Sequence, residues 1–343
     1  MKARQVVQTC VLSTRWTHLW RSVPSLDLDM KEFKTEAENS DTSDDSSDSD
    51  QDDEEWEKFE DFTDHLLIPN NISISLLDSF RLHVTYKYGK QAAKWIRYGM
   101  KYNAQVPGIP GKGLSSSCWR VKRLHLSHVH LDSRFTDHVS SGCQLLEYLE
   151  LNGCQCFFHE IASHSLKHLI LRKCGYMLLS EIKSSTLKNL VIEWSTGVRL
   201  IVSAPAVADL FLALNSYYAA NISYSGMPSL INASIRLSYS RGNQFSKNLI
   251  NVLGGLCNVA SLHLLGFQTM VLSQESTAFP NFEMLKTLLL IRCDLSDDFK
   301  TLEHFMKSSP NLEKLTLRCC KFPKYLNKRK GKAKSKMVPS SKR

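Results

Sequence analysis

The chain has 343 residues, of which 43% are hydrophobic and 22% are charged, and its formal net charge is +9. This composition is typical of a folded globular protein, and no stretch reaches the roughly 20 apolar residues that a membrane helix needs. The N-terminal sequence MKARQVVQTC lacks the apolar core of a secretory signal. We therefore expect a protein that is neither membrane-spanning nor secreted, and whose ten cysteines stay reduced.

Residues 1–30 predict two short helices followed by an extended segment. Apolar residues recur at helical spacing from Val6 to Val11, and Ser13 is a suitable N-cap for a second helix that carries Trp16 and Trp20. Thirty residues with two short helices cannot build a core. The apolar faces of these helices therefore require a partner or a further element of the chain.

The charge is segregated along the chain. Residues 36–64 contain fifteen Asp or Glu and one Lys, whereas the last 23 residues contain ten Lys or Arg and no acidic residue. Segments of such composition bury too little apolar surface to fold. We predict an acidic disordered linker at residues 31–61 and a basic disordered tail at residues 323–343. The tail is either a nuclear localisation signal or an inert solvated end, and the predicted localisation is nucleus and/or cytoplasm.

Nine units of the type L-x-x-L-x-L lie between the linker and the tail, and their starts are 20 to 29 residues apart. The units begin at Val121, Leu146, Leu166, Leu187, Val207, Leu230, Val259, Leu285 and Leu312. A looser unit begins at Leu77, and a helix is expected near residues 91–102. The position three residues after the last leucine is Cys154, Cys174, Cys293 and Cys320 in four units, as leucine-rich repeats prefer.

The repeats predict an α/β leucine-rich-repeat solenoid over residues 62–322, with a curved parallel sheet on the concave side and helices and irregular turns outside. Leucines point inward and the intervening side chains point outward. The outward residues include an apolar group rimmed by charge, which we predict to be the partner-binding face. Its residues are Ile170, Arg172, Val191, Glu193, Trp194 and Phe211. The alternatives are that a loop covers this face or that the register differs by one.

Local signatures for catalysis or cofactor binding are weak. His125, His128 and His130 stand near Cys154 and Cys156, but their spacing does not match that of zinc sites. The segment GIPGKG at residues 108–113 does not meet the spacing of a phosphate-binding loop. We expect no metal, no cofactor and no catalytic residue.

The N-terminal segment KARQVVQTCVLSTRWTHLWRSVPSLDLD resembles the second half of a plant F-box. The segments FEDFTDHLL, SFRLHV and CDLSDDFKTLEHFMKSSPNLEKLTLRCCKF resemble the F-box/LRR proteins of grasses, of the F-box/RNI/FBD-like family. The Leu-Pro-containing helix that opens the family's F-box does not precede Met1, so the resemblance is to an N-terminally truncated F-box.

The resemblance implies a non-catalytic adaptor of an SCF-type cullin RING ubiquitin ligase. The F-box at residues 1–30 would dock a Skp-type linker and through it the cullin, and the repeats would capture a protein substrate. The residues that match the helical part of the F-box motif are Val6, Val7, Cys10, Val11, Leu12, Trp16, Leu19 and Trp20. The alternatives are a repeat module detached from the ligase, because the first F-box helix is missing, and a basic nuclear protein associated with nucleic acid.

Overall fold

The structure is a computed structural model. The chain folds into two compact units, and the boundary between them follows Val207. The first unit is Met1–Val207 and the second is Ala208–Arg343. The structure describes residues 2–9, 23–34, 48–67, 77–102, 120–176, 178–197, 200–215, 222–224, 227–238, 252–267 and 279–324. The basic tail beyond residue 324 and the segment GIPGKG lie outside the described residues.

The described residues of the first unit form four helices and a series of parallel strands. Its helices are α1 (Ala3–Thr9), α2 (Asp48–Leu67), α3 (Gly89–Tyr102) and α4 (Ser133–Ser141), with 3-10 turns at Met30–Phe33 and Tyr86–Tyr88. Its strands are β1 (Ser25–Asp29), β2 (Ser79–His83), β3 (Arg123–Ser127), β4 (His130–Asp132), β5 (Tyr148–Asn152), β6 (Gln155–Phe157), β7 (Glu160–Ala162), β8 (His168–Arg172), β9 (Gly175–Tyr176), β10 (Glu181–Lys183), β11 (Asn189–Glu193), β12 (Thr196–Gly197) and β13 (Leu200–Ser203).

The main sheet of the first unit has the order β1-β2-β3-β5-β8-β11, and its neighbouring strands are parallel. Corresponding leucines of successive repeats occupy the same position along their strands, so that Leu149 lies beside Leu124 and Leu169. These three side chains are fully buried, and each burial contributes about 1.5–3 kcal/mol. The α/β class and the leucine-rich-repeat pattern predicted from the spacing are confirmed, and the predicted helix near residues 91–102 corresponds to α3.

Where a repeat has a cysteine three residues after its last strand leucine, the thiol contacts the backbone of the repeat before it. The Cys174 thiol donates a hydrogen bond to the Leu151 carbonyl at 3.2 Å, and Cys154 and Cys293 make the same contact one repeat earlier. Ser195 takes the equivalent position with its hydroxyl 3.4 Å from the Leu171 carbonyl. Burial raises the pKa of the Cys293 thiol to about 11, so that this thiol stays protonated and donates.

We expect Cys174→Ser to be tolerated and Cys174→Ala to destabilise the chain. Serine keeps the donor, as at Ser195, and should change the free energy of unfolding by less than about 1 kcal/mol. Alanine removes the buried donor and leaves a small void, which should cost about 1–2 kcal/mol. Urea unfolding of the two variants measures the difference. Equal losses would show that packing rather than the hydrogen bond matters at this position.

A left-handed residue precedes this cysteine position in the repeats. His128, Lys173 and Trp194 have φ of 61°, 50° and 51°, and Gly153 has φ of 63° at the same place. Non-glycine residues seldom adopt this backbone region, because the Cβ crowds the carbonyl. Its recurrence shows that the turn at the end of each strand imposes the conformation, whatever side chain the sequence supplies.

The predicted linker is wrong for residues 48–61, because they form most of α2. Trp56 and Phe59 on this helix are buried against Tyr88 and Trp95, with the Trp56 and Tyr88 rings stacked at 4.4 Å. Acidic side chains near a helix N-terminus favour the helix through its dipole. The low-complexity composition concealed an amphipathic helix whose apolar residues recur every three or four positions.

Ion pairs join α2 to α3 around the aromatic contacts. Lys94 Nζ lies 2.6 Å from Glu60 Oε1 and 2.8 Å from Asp64 Oδ2, and the Trp95 indole N–H donates to the other oxygen of Asp64 at 2.6 Å. Burial opposes the charged state of Lys94, but hydrogen bonds to Asp64 and Glu60 outweigh it and raise its pKa. The carboxylates of α2 therefore serve as docking contacts as well as solvated groups.

The F-box boundary at residue 30 also differs from the structure. The segment Ser25–Asp29 is extended as predicted, but it pairs in parallel with β2 and so forms the first strand of the repeat sheet. Leu26 and Leu28 are both 1% exposed. Residues 25–29 therefore belong structurally to the repeats.

The second unit contains parallel strands of the same repeat pattern. Its described strands are β14 (Asp209–Asn215), β15 (Ile222–Tyr224), β16 (Asn232–Ser238), β17 (Ser261–Leu265), β18 (Thr287–Ile291) and β19 (Lys314–Arg318), and a helix, α5 (Lys300–Lys307), lies between β18 and β19 in the sequence. The sheet order is β14-β16-β17-β18-β19. Leu288 of β18 is fully buried, whereas Leu315 at the corresponding position of β19 is 36% exposed.

Candidate partner-binding face

The side of each main sheet opposite the leucines is termed here its open face. In the first unit, His125, Glu150, Ile170 and Val191 are aligned on neighbouring strands at one height of this face. A second row lies two residues further along each strand and consists of Ser127, Asn152, Arg172 and Glu193. The predicted register is confirmed, and the one-residue shift left open by the sequence does not occur.

A charged network crosses the open face of the first unit. The ring of His125 lies with Nδ1 3.2 Å from Glu150 Oε2, and the Tyr148 hydroxyl donates to the same oxygen at 2.8 Å. Arg172 donates to the other oxygen of Glu150, and its Nε donates to Glu193 Oε2 at 3.1 Å. The network holds four neighbouring strands together on the face that is otherwise open.

The network shifts the acidity of its members. Hydrogen bonds from His125 and Tyr148 and the charge of Arg172 lower the pKa of Glu150 to about 2, although burial opposes the shift. Burial, followed by the hydrogen bond to Glu150, raises the pKa of Tyr148 to about 12. At neutral pH the face therefore carries a fixed carboxylate and a neutral phenol.

The apolar residues predicted in the first unit lie beside this network. Ile170 and Val191 face each other across β8 and β11, and each is partly exposed. The Arg172–Glu193 pair is on their C-terminal side. Trp194 follows β11 in the left-handed turn and is also partly exposed. The structure therefore places five of the six predicted face residues on, or directly after, β8 and β11 of the first unit.

Phe211 lies on β14 and belongs to the second unit. The guanidinium carbon of Arg236 lies 5.8 Å from the centre of its ring. The open face of the second unit also carries Leu265, Leu289 and Ile291, which sequence analysis did not select although they occupy the same outward rows. The repeat register contains the signal for these three residues, because they occupy the outward positions of β17 and β18.

The predicted linker-binding residues are described only in part. Val6 is 4% exposed on α1, whereas Val7 is partly exposed. A bridge between Lys2 and Asp27 and an ion pair between Lys2 and Glu32, at 3.1 Å, hold α1 beside β1. In this conformation Val7 rather than Val6 is available to a partner. The remaining six residues, Cys10, Val11, Leu12, Trp16, Leu19 and Trp20, lie outside the described residues.

The histidines and cysteines weighed as metal ligands are separated in the structure. His125 lies on the open face, His128 lies in the left-handed turn, and Cys154 bonds the Leu126 carbonyl inside the stack. Within the described ranges, no group of three or more His, Cys, Asp or Glu could hold a metal ion. No helix in those ranges is both long enough and apolar enough to cross a lipid bilayer.

The parallel repeats, whose strands bury leucines on one side and present polar and apolar residues on the other, define a leucine-rich-repeat protein. Among curated proteins, the meiotic F-box protein MOF of Oryza sativa subsp. japonica is 28% identical over 97% of this chain and 71% of its own length. An F-box/LRR-repeat protein of Arabidopsis thaliana is 24% identical over 92% of this chain and 86% of its own length. A putative F-box protein of the same plant is 27% identical over 58% of this chain, which spans 40% of that protein.

No family model and no solved structure matches the chain. The curated relatives nevertheless share F-box or F-box/LRR descriptions and include two that align along almost the whole chain. They support the plant F-box/LRR family for this chain, and the resemblance indicated by its motifs is confirmed.

Proposed function

We propose that the chain is a substrate-recognition adaptor of an SCF-type cullin RING ubiquitin ligase. The F-box segment would bind a Skp-type linker, and the open faces of the repeats would hold a protein substrate. The observation that carries the proposal is the combination of F-box/LRR relatives with open sheet faces that present ordered polar and apolar rows.

The adaptor would act through proximity and without chemistry of its own. A substrate held on the repeats would meet the ubiquitin-charged enzyme at a high effective concentration, which replaces a slow bimolecular encounter. A location in the nucleus and/or the cytoplasm remains part of this proposal.

The experiment is co-purification of the full chain with a plant Skp-type linker, followed by measurement of the dissociation constant. Val7→Asp should weaken the complex at least about tenfold, because a charge would enter the contact made by a partly exposed residue of α1. Gln8→Asp, at an exposed position of the same helix, is the matched control and should leave the affinity nearly unchanged.

A second candidate is a repeat module that binds its partner without the ligase. The burial of Val6 against the chain itself favours this alternative, because a covered side chain offers no surface to a linker. Failure of the folded chain to bind any Skp-type linker would favour this module over the adaptor. Equal weakening by Val7→Asp and Gln8→Asp would locate the linker contact elsewhere than on α1.

A further inference from the structure

The open face of the second unit differs from that of the first in its charge balance. Its described outward residues on β14, β16, β17, β18 and β19 include the cations Arg236, Lys314 and Arg318. The single acidic residue among them is Asp209, which accepts a hydrogen bond from the Asn232 amide at 2.8 Å. The face is therefore cationic.

The cations of this face are not neutralised by the described part of the chain. In the first unit, Arg172 is paired with two glutamates. In the second, no carboxylate of a described residue forms an ion pair with Arg236, Lys314 or Arg318. A group of like charges without counter-charges attracts anionic partners and accelerates their association.

Arg236 provides an independent observation. Its guanidinium lies over the Phe211 ring, but its Nε is buried and has no hydrogen-bond partner among the described residues. A buried N–H without an acceptor costs about 1–3 kcal/mol, and more when the group is charged. The Arg236 side chain as a whole is partly exposed, so a carboxylate of a bound partner can pair with the charge of its guanidinium.

Apolar side chains lie between these cations. Leu265 pairs with Ile291 at one height of the sheet, flanked by Arg236 on one side and Arg318 on the other. Leu289 lies one step toward the strand start, next to His263. All three apolar side chains are partly exposed. An apolar strip between two arginines fits a ligand that is itself apolar in the middle and anionic at its sides.

The composition of the face favours a protein segment over a nucleic acid. Single-stranded nucleic acids stack their bases on aromatic rings, and among the outward rows only Phe211 and the imidazole of His263 offer one. Leucine and isoleucine instead match aliphatic side chains. The five strands span about 19 Å at about 4.8 Å per step, which an extended segment of about six residues can cross.

We propose that the open face of the second unit binds a short segment of a partner protein in which aliphatic side chains are flanked by carboxylates. The aliphatic groups would cover Leu265, Leu289 and Ile291, and the carboxylates would pair with Arg236 and Arg318. The inference rests on the proposed function, because it gives the chemistry of the substrate that the proposed adaptor would hold. Binding itself is measurable on the isolated chain.

The test is selection of random peptides of about ten residues, displayed on phage, against the purified full chain. Enriched peptides should combine Asp or Glu with Leu, Ile, Val or Phe. For a synthetic copy of one such peptide, Arg318→Glu and Leu289→Ser should each weaken binding at least about tenfold. Lys300→Glu, the same charge change on α5, should alter the affinity less than about twofold. Far-UV circular dichroism verifies that each variant is folded.

The outcomes separate this inference from the adaptor proposal. Peptides without carboxylates, absence of enrichment, or equal weakening by Arg318→Glu and Lys300→Glu would overturn the inference. Single-stranded RNA that competes for the face and depends on Arg318 would overturn it in favour of nucleic acid. Binding to the Skp-type linker, measured on the same variants, should stay unchanged, so that failure of either proposal is recognised separately.

Discussion

Replacement of Phe59 by alanine should destabilise the first unit by about 3–5 kcal/mol, although the residue lies in the most acidic stretch of the sequence. Phe59 is fully buried, and its ring lies 5.6 Å from that of Trp95 and 5.4 Å from that of Phe33. Removing the ring leaves a cavity among aromatic groups that cannot collapse freely. Urea unfolding followed by tryptophan fluorescence measures the change, because Trp56 and Trp95 lie in the same cluster.

Glu57→Ala on the exposed side of α2 is the matched control and should change the free energy of unfolding by less than about 0.5 kcal/mol. Hydrogen exchange adds a local measurement, since the amides of residues 48–67 should lose protection in the Phe59→Ala variant. A disordered linker would respond equally little to both substitutions. That result would contradict the docked helix.

The repeat architecture was predictable because its signal is redundant. Each repeat restates the same spacing, so that an error in one unit, such as the weak LINASI segment at β16, does not disturb the register of its neighbours. The role of Cys174 and its equivalents followed from the same repetition. The repeat spacing alone therefore predicts which residues form the rows of the open face.

The acidic helix was missed because a compositional rule was applied where a periodic one was decisive. Charge density over residues 36–64 favours disorder, but Trp56, Phe59 and Thr63 recur at helical spacing and meet an aromatic face formed by Tyr88 and Trp95. Tyr88 and Trp95 lie far beyond the α2 residues Trp56 and Phe59 in the sequence, and tertiary packing brings them together. The composition of residues 36–64 alone cannot predict such a contact.

The register of the outward rows was predicted, but their chemistry was not, and partner binding by the open face of the first unit stays a prediction. Sequence analysis emphasised Ile170 and Val191, whereas the open face of the first unit is organised by the pairing of Arg172 with Glu150 and Glu193. Pairing of this kind depends on which rotamers reach across neighbouring strands, and the register alone does not give it. The same limitation concealed Arg236 of the second unit, whose buried Nε has no hydrogen-bond partner among the described residues.

The Glu150 network should make stability depend on acid pH in a way that Glu150→Gln removes. The pKa of Glu150 is about 2 in the folded chain, against an ordinary value of 4.5. A lowered folded-state pKa contributes stability that is complete above the ordinary value and is lost as the pH falls from about 4.5 toward 2. For a side chain that is 18% exposed, the contribution at neutral pH is on the order of 2–3 kcal/mol.

Urea unfolding at neutral pH and near pH 3 measures this contribution for the first unit. Other carboxylates titrate in the same range, so the informative quantity is the difference between the native chain and the Glu150→Gln variant. Glutamine keeps the shape and can accept from Arg172 or from Tyr148 with its single oxygen, but it does not titrate. The native chain should lose about 1–2 kcal/mol more than the variant on acidification.

Glu147→Gln controls for an exposed carboxylate just before the same strand, since Glu147 pairs with Lys167 at 2.7 Å and its side chain is 50% exposed. Solvent screening makes such a pair nearly neutral for stability. This variant should therefore follow the native chain at both pH values. Parallel losses in the native, Glu147→Gln and Glu150→Gln chains would mean that Glu150 titrates as an ordinary surface acid. The network would then position side chains on the open face without contributing to the stability of the sheet.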